Sequence, residues 1–572
     1  MRILAVSDLV AIPAPRRSFE GAPRRSIKDS VNEKTCPPLF FRGLTVTGFA
    51  LAALFYCLSF TPSLLPRPYY LQGVVAGITA ATGYAAGTAA GALARTYWRP
   101  GPRTVKIAWR VLFALVPGLI LIFLWLSTRW QRQLRVRLGI APQQEYDLLR
   151  TVGVSLLTFG VILLVARVLR LATHGLAHAF GHVVPTNAAY CAGFVVVALL
   201  SYTAFDRLMI DYLYTTADRS AAVTDSGTGR GIVRPASPLR SGSPQSLVGW
   251  ESLGRQGRNF VASAPTRKQL TAFSGRPSLE PIRLYAGLAS ADTPQARADL
   301  VVREMVRTGA FDRAVVAIFT PTGTGWVDNN VTSSLEYMYS GDTALVSMQY
   351  SYLPSWISFL VDRSKVTDAA AALITAVHDR WAAMPPGARP KLLIFGESLG
   401  TYGTEKTFGS ARKMVDGADG MLLEGPTFAN PVHQQLTGAR APGSSVWDPD
   451  YPGLPVAFAS KPAELRDLGV TRPKVIYMQN SSDPVVYWNP SLLWHQPSWL
   501  KGERGPDVTH DMHWYPVITF WQTTVDLIFA NKAPIGHGHV YKSATVDGWA
   551  ALAPPPGWTV ADTLRLRALL DR

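Results

Sequence analysis

The chain has 572 residues, 48% of them hydrophobic and 17% charged, and carries a formal net charge of +17. This length predicts more than one domain, and the three cysteines (Cys36, Cys57, Cys191) supply neither a disulfide framework nor a thiolate zinc site downstream of residue 191. The charge does not point to nucleic acid: much of it sits in an N-terminal arm and in loops between apolar runs, where anionic lipid head groups account for it, and no basic run is interleaved with aromatics.

Residues 1–41 form a basic arm in which Arg16, Arg17, Arg24 and Arg25 follow a mildly apolar stretch. A secretory signal has the opposite order, so the first long apolar run is expected to be an uncleaved anchor. Runs without charge at 48–65, 70–94, 111–126, 152–166 and 188–204 are each close to bilayer-spanning length and predict about five spans within a transmembrane helical domain over 42–214. The second run, with Gly73, Gly77, Gly83, Gly87 and Gly91, suits close packing between helices. The basic arm and the loop bearing Arg95, Arg99, Arg103, Lys106 and Arg110 favour a cytoplasmic N-terminus. With five spans the C-terminal domain then lies outside the cytoplasm, and only Arg129, Arg132, Arg135 and Arg137 disagree. His174, His178 and His182 recur along one helical face and are read as membrane-interface residues rather than ligands.

A Gly, Ser, Pro, Asp and Arg stretch without periodicity makes 215–256 a linker or mobile segment. Over 257–572 extended apolar segments at 281–286, 314–319, 344–350, 391–395, 420–424 and 474–479 alternate with helical patterns such as 295–308 and 366–384. Alternation of this kind predicts a mostly parallel sheet of at least six strands covered by helices.

Catalytic groups in such sheets collect beyond the carboxyl ends of the strands. The fourth segment runs into Gly396-Glu397-Ser398-Leu399-Gly400, the G-x-S-x-G pattern of a nucleophile elbow, which makes Ser398 the candidate nucleophile. The strand ending at Phe319 opens onto Thr320, Pro321, Thr322, Gly323, Thr324 and Gly325. This loop is a place for an oxyanion hole, with the Leu399 amide as one donor and an amide near Gly323 or Thr324 as the second. Serine needs a base, and the base needs a carboxylate, in the chain order Ser, acid, His. Asp483, on the turn after 474–479, is the leading acid and Glu424 its competitor. His537 and His539 share a glycine-bearing loop and are both candidate bases. The Gly536-His537-Gly538 arrangement inclines the reading to His537, with His539 in a supporting hydrogen bond. His510 and His513 flank Asp511 in what reads as a solvated loop rather than a metal site.

The stretch from Thr320 to Asp328, the elbow at Ser398, and Gly536 through His539 together resemble the actinobacterial α/β-hydrolase family with a multi-span N-terminal domain. The resemblance covers about 41–570, implies a membrane domain followed by an α/β-hydrolase domain, and leaves out the arm 1–38, as if the start were placed too early. An insertion at 425–472, rich in Pro, Gly and aromatics, is expected to cap the active site. A lid with apolar faces beside a bilayer predicts a lipid or acyl-ester substrate and membrane lipids as neighbours. The expected function is that of a membrane-anchored, lipase-like serine esterase acting through an acyl-enzyme, without metal or organic cofactor. Acyl transfer with the same triad, or an inactive scaffold or transporter, are the alternatives.

Overall fold

The computed structural model describes residues 44–141, 147–182, 185–204, 206–207, 212–354, 357–358, 363–466 and 472–571, so the basic arm 1–41 lies outside the described residues. Among these residues, seven strands form one sheet in the order β1-β3-β2-β4-β5-β7-β6. They are β1 (Ile282–Ala286), β2 (Val315–Thr320), β3 (Thr343–Met348), β4 (Lys391–Glu397), β5 (Gly420–Glu424), β6 (Val456–Ala459) and β7 (Val475–Met478), and every pairing is parallel.

A parallel sheet is covered on both faces, which is why its strands read as unbroken apolar runs. Alternate residues feed two cores. Val316, Ile318, Leu392 and Ile394 join Val301, Leu373 and Leu399 from helices Pro294–Thr308, Ser364–Ala382 and Leu399–Phe408 on one face. Ala317, Phe319, Leu393 and Phe395 join Phe260, Val331 and Trp549 on the other. One charge lies among them: Arg283 on β1 is fully buried and bonds Glu336 through Nε and Nη2, each at 2.7 Å. A buried guanidinium is tolerated because the fork of its donors is matched by a carboxylate.

The N-terminal region consists of α1 (Val46–Leu58), α2 (Tyr69–Tyr97), α3 (Pro102–Arg137), α4 (Leu148–Phe180) and α5 (Thr186–Ala204). Two of these, α3 and α4, are long and apolar enough to cross a membrane, not about five. The expectation fails at α1 because the run 48–65 is not one helix: Pro62, Pro66 and Pro68 end it, and its second half is a buried loop. It fails at α2 because Gly and Ala dilute the apolar content; there small residues admit neighbouring helices, and a β-carbon on Gly77 would stand 2.6 Å from Thr158 of α4. Leu115, Leu121 and Trp125 of α3 and Leu156, Leu164 and Leu171 of α4 are exposed.

Two further segments differ from expectation. The stretch read as a linker begins inside the helix Tyr212–Ser226 and then lies along the outer side of β1. Arg283 N donates to Leu239 O (3.2 Å), Ser241 N to Arg283 O (3.1 Å) and Tyr285 N to Ser241 Oγ (3.0 Å). The Ser-rich composition hid this because its hydroxyls serve as backbone partners rather than as solvated groups. Within the expected cap 425–472, Val456–Ala459 is not a cover but the edge strand β6, paired with β7. The helix Pro431–Gly438 of the same insertion packs on helix Leu399–Phe408, where Glu405 accepts from Val432 N at 2.7 Å.

Candidate active site

β4 lies inside the sheet between β2 and β5, and its last residues deliver Ser398 to the N-terminus of helix Leu399–Phe408. Ser398 has φ 55° and ψ −119°, a strained conformation for a residue with a side chain. It persists because its surroundings determine it. Ser398 N donates to Glu424 O at 2.9 Å, and Thr401 Oγ1 donates to Ser398 O at 2.6 Å. The last glycine of the motif is required by proximity: a β-carbon on Gly400 would overlap Thr320 O, at the end of the neighbouring strand.

The expected oxyanion loop is beside this turn, since Thr320 is in register with Gly396. It is a tight turn in which Gly325 N donates to Thr322 O (2.9 Å) and Thr322 N to Trp326 O (3.0 Å). Tyr285 Oη donates to Gly325 O (2.8 Å) and Gln349 Nε2 to Thr324 O (3.0 Å), which turns two carbonyls of the loop away into the domain. The Leu399 amide opens its helix and so has no intrahelical acceptor.

Asp483 follows β7 and is fully buried. Its Oδ2 accepts from His539 Nδ1 and from Tyr541 Oη, both at 2.7 Å, and its Oδ1 accepts from Val485 N at 2.8 Å. The carboxylate therefore accepts a hydrogen bond from Nδ1–H, which keeps the proton on Nδ1 and leaves Nε2 as the basic nitrogen. Nε2 is buried and makes no hydrogen bond among the described residues. The ring lies against Gly425, where a β-carbon would overlap His539 Cε1, and the preceding carbonyl, Glu424 O, is the one that holds Ser398 N. Burial alone would lower the His539 pKa; the charge of Asp483 and its hydrogen bond outweigh burial, so the imidazole stands above its ordinary value.

The histidine that Asp483 meets is His539, whereas the sequence inclined the reading to His537. His537 Nδ1 instead meets Asp507 Oδ2 at 2.9 Å, on a partly exposed side of the loop. Neighbours two apart on a turn face different ways, and spacing alone does not say which one faces Asp483. The second pair braces the first: Ser482 Oγ donates to Asp507 Oδ2 (2.6 Å) and accepts from Gly538 N (2.9 Å). Glu424 forms no ion pair with a histidine among the described residues; burial, then the charges of Glu397 and Asp328, push its carboxyl well above the usual range. Glu397, beside Ser398, is pushed up to about 8 by burial and by Asp328. Sequence reasoning missed Asp507, Ser482 and Tyr541. Tyr541 lay within the histidine loop and Ser482 beside Asp483, but nothing in the surroundings of Asp507 marks it.

Two models of one family match the chain, the α/β-hydrolase family N-terminus over residues 60–265 and the α/β-hydrolase family over 282–566. With the seven-stranded parallel sheet and its covering helices, this makes the chain an α/β-hydrolase family protein, a class whose chemistry is of the hydrolase type. No curated protein and no solved structure matches it.

Proposed function

We propose that the protein is a membrane-anchored serine hydrolase that cleaves a lipid or cell-envelope ester through an acyl-enzyme. The observation that carries this reading is the buried His539, held by Asp483 through Nδ1 and with Nε2 unbonded among the described residues, packed on Gly425, whose preceding carbonyl holds a strained serine at the head of a helix. Ser398 Oγ attacks the ester carbonyl while His539 Nε2 takes its proton. The Leu399 amide and an amide of the 323–324 turn stabilise the oxyanion, roughly 3 kcal/mol per donor. The imidazolium then gives its proton to the leaving alcohol, and water, deprotonated by the same nitrogen, releases the acid and restores Ser398.

Exposed apolar faces on α3 and α4 support placement in a bilayer, since a water-soluble protein rarely presents so large an apolar surface. Tyr70, at the start of α2, packs on Phe529 of the catalytic domain, and α2 has 29 residues, about 43 Å at ~1.5 Å each. Its basic far end, with Arg95 and Arg99, thus lies away from the catalytic domain and supports an extracytoplasmic active site. Of the dissenting arginines, Arg137 is bonded to Pro506 O at 3.1 Å and so serves the domain contact rather than orientation. Ile528 and Ile535, exposed near the histidine loop at that same end, support a lipid substrate.

Labelling of the full-length protein with a fluorophosphonate tests the reading. Wild type should be labelled and Ser398→Ala should not; folded wild type that resists the probe would remove the serine-hydrolase claim. Tracing the acyl group to water or to an added acceptor then separates hydrolysis from transfer.

A further inference from the structure

The ten residues between α1 and α2, 59–68, are a loop joining two apolar helices, yet most of them are buried. Buried loops are rare because their backbone polar groups need partners. Here several of the partners come from one helix of the catalytic domain, Ile518–Phe529. Gln522 Nε2 donates to Ser59 O (3.1 Å) and Thr61 O (2.9 Å). Asp526 Oδ2 accepts from Leu64 N (3.1 Å) and Leu65 N (3.4 Å), while Asp526 Oδ1 pairs with Arg67 Nε at 3.1 Å, both side chains fully buried. Arg67 is fixed in turn, with Nη1 on Gln72 Oε1 (2.9 Å) and its own amide on Gln131 Oε1 of α3 (3.2 Å).

The far end of that helix touches the site. Ala530 O, the first carbonyl past the helix, accepts from His539 N at 2.9 Å. Leu65 stands beside the same loop: its Cδ2 is 3.5 Å from where a β-carbon of Gly538 would stand. Gly538 has φ +53°, and a β-carbon there would also stand 2.7 Å from Ala530 O, so the loop has no slack on this side.

We propose that the 59–68 loop of the N-terminal helical region is a positioning element for the base, Leu65 acting through Gly538 and the Arg67–Asp526 pair through Ala530 to hold His539 at Ser398. Neither Leu65 nor Arg67 touches the reacting atoms. The inference deepens the proposed function and rests on it, because it presumes His539 is the base.

The test uses full-length protein in lipid nanodiscs and reads the second-order rate of fluorophosphonate labelling per folded molecule, with Tm measured alongside. Leu65→Ala is compared with Leu134→Ala, which empties the same apolar cluster from α3. Leu65→Ala should slow labelling about tenfold or more, since displacing a catalytic group by ~1 Å costs up to ~100-fold. Leu134→Ala should lower Tm similarly with a rate within about twofold of wild type, and Leu65→Met, which refills the space, should recover the rate. If Leu65→Ala does not accumulate, Leu65→Val replaces it, with a loss of about threefold or more expected. Wild-type labelling in the Leu65 variant, or equal slowing in the Leu65 and Leu134 variants, overturns the positioning role while leaving the serine-hydrolase reading intact. Unlabelled wild type overturns both.

Discussion

Replacing Asp483 by asparagine is the sharpest test of which histidine is the base. The carboxylate accepts three hydrogen bonds, from His539 Nδ1, Tyr541 Oη and Val485 N, at 2.7, 2.7 and 2.8 Å. An amide has one oxygen. If that oxygen keeps Val485 N, the amide nitrogen faces His539 and donates to Nδ1, which moves the ring proton to Nε2 and leaves no lone pair for the serine proton. The wrong tautomer in such a triad costs on the order of 10⁴-fold in kcat, about 5.5 kcal/mol at ~1.4 kcal/mol per decade. Asp507→Asn disturbs only the bracing contacts with His537 and Ser482 and should cost no more than about tenfold. The assay is turnover of a chromogenic short-chain ester, or the fluorophosphonate labelling rate. In wild type the rate should climb with pH through a midpoint above the ordinary imidazole value, because the neutral ring is the base and its pKa is raised. A loss near 10⁴-fold in Asp507→Asn with a mild effect in Asp483→Asn would refute the assignment and transfer the role to His537.

Glu397→Gln should change the pH dependence of stability. The folded carboxyl titrates at about 8 against 4.5 for the free group, so the folded state holds a proton that the unfolded chain releases between those values. The contribution of this group to stability should therefore be greatest below 4.5, fall as pH rises to about 8 and then level, a drop of a few kcal/mol at ~1.4 kcal/mol per pH unit. Thermal scans at pH 5 and 9 should show a smaller drop in the glutamine variant; identical drops would contradict the burial argument. Gly400→Ala, whose added methyl would overlap Thr320 O, should abolish labelling and lower Tm, and near-normal labelling would show that the strand and helix can part there.

The apolar runs of β1 to β5 and β7 were legible because a strand covered on both faces is mostly apolar along its whole length, with the few polar residues, such as Arg283 and Ser347, too sparse to blur it. β6 was not, since Val456–Ala459 is short, half-buried at the sheet edge and set among prolines. Ser398 and Asp483 could be seen to lie past the carboxyl ends of strands, since β4 ends at Glu397 and β7 at Met478. Which of His537 and His539 meets Asp483 could not be read, because that choice depends on which way one turn faces. Nor could 48–65 be seen to break, for a buried proline loop has the same apolarity as a spanning helix; what distinguishes them is Asp526, more than 460 residues away in the chain.

Residues 239–241, bonded along β1, have one more consequence. The outermost strand of an open sheet displays unpaired amides and carbonyls, and when identical molecules are crowded in a plane such a rim invites stacking of one copy on the next. Here a stretch of irregular chain occupies part of that rim, so the chain carries its own guard against two-dimensional association.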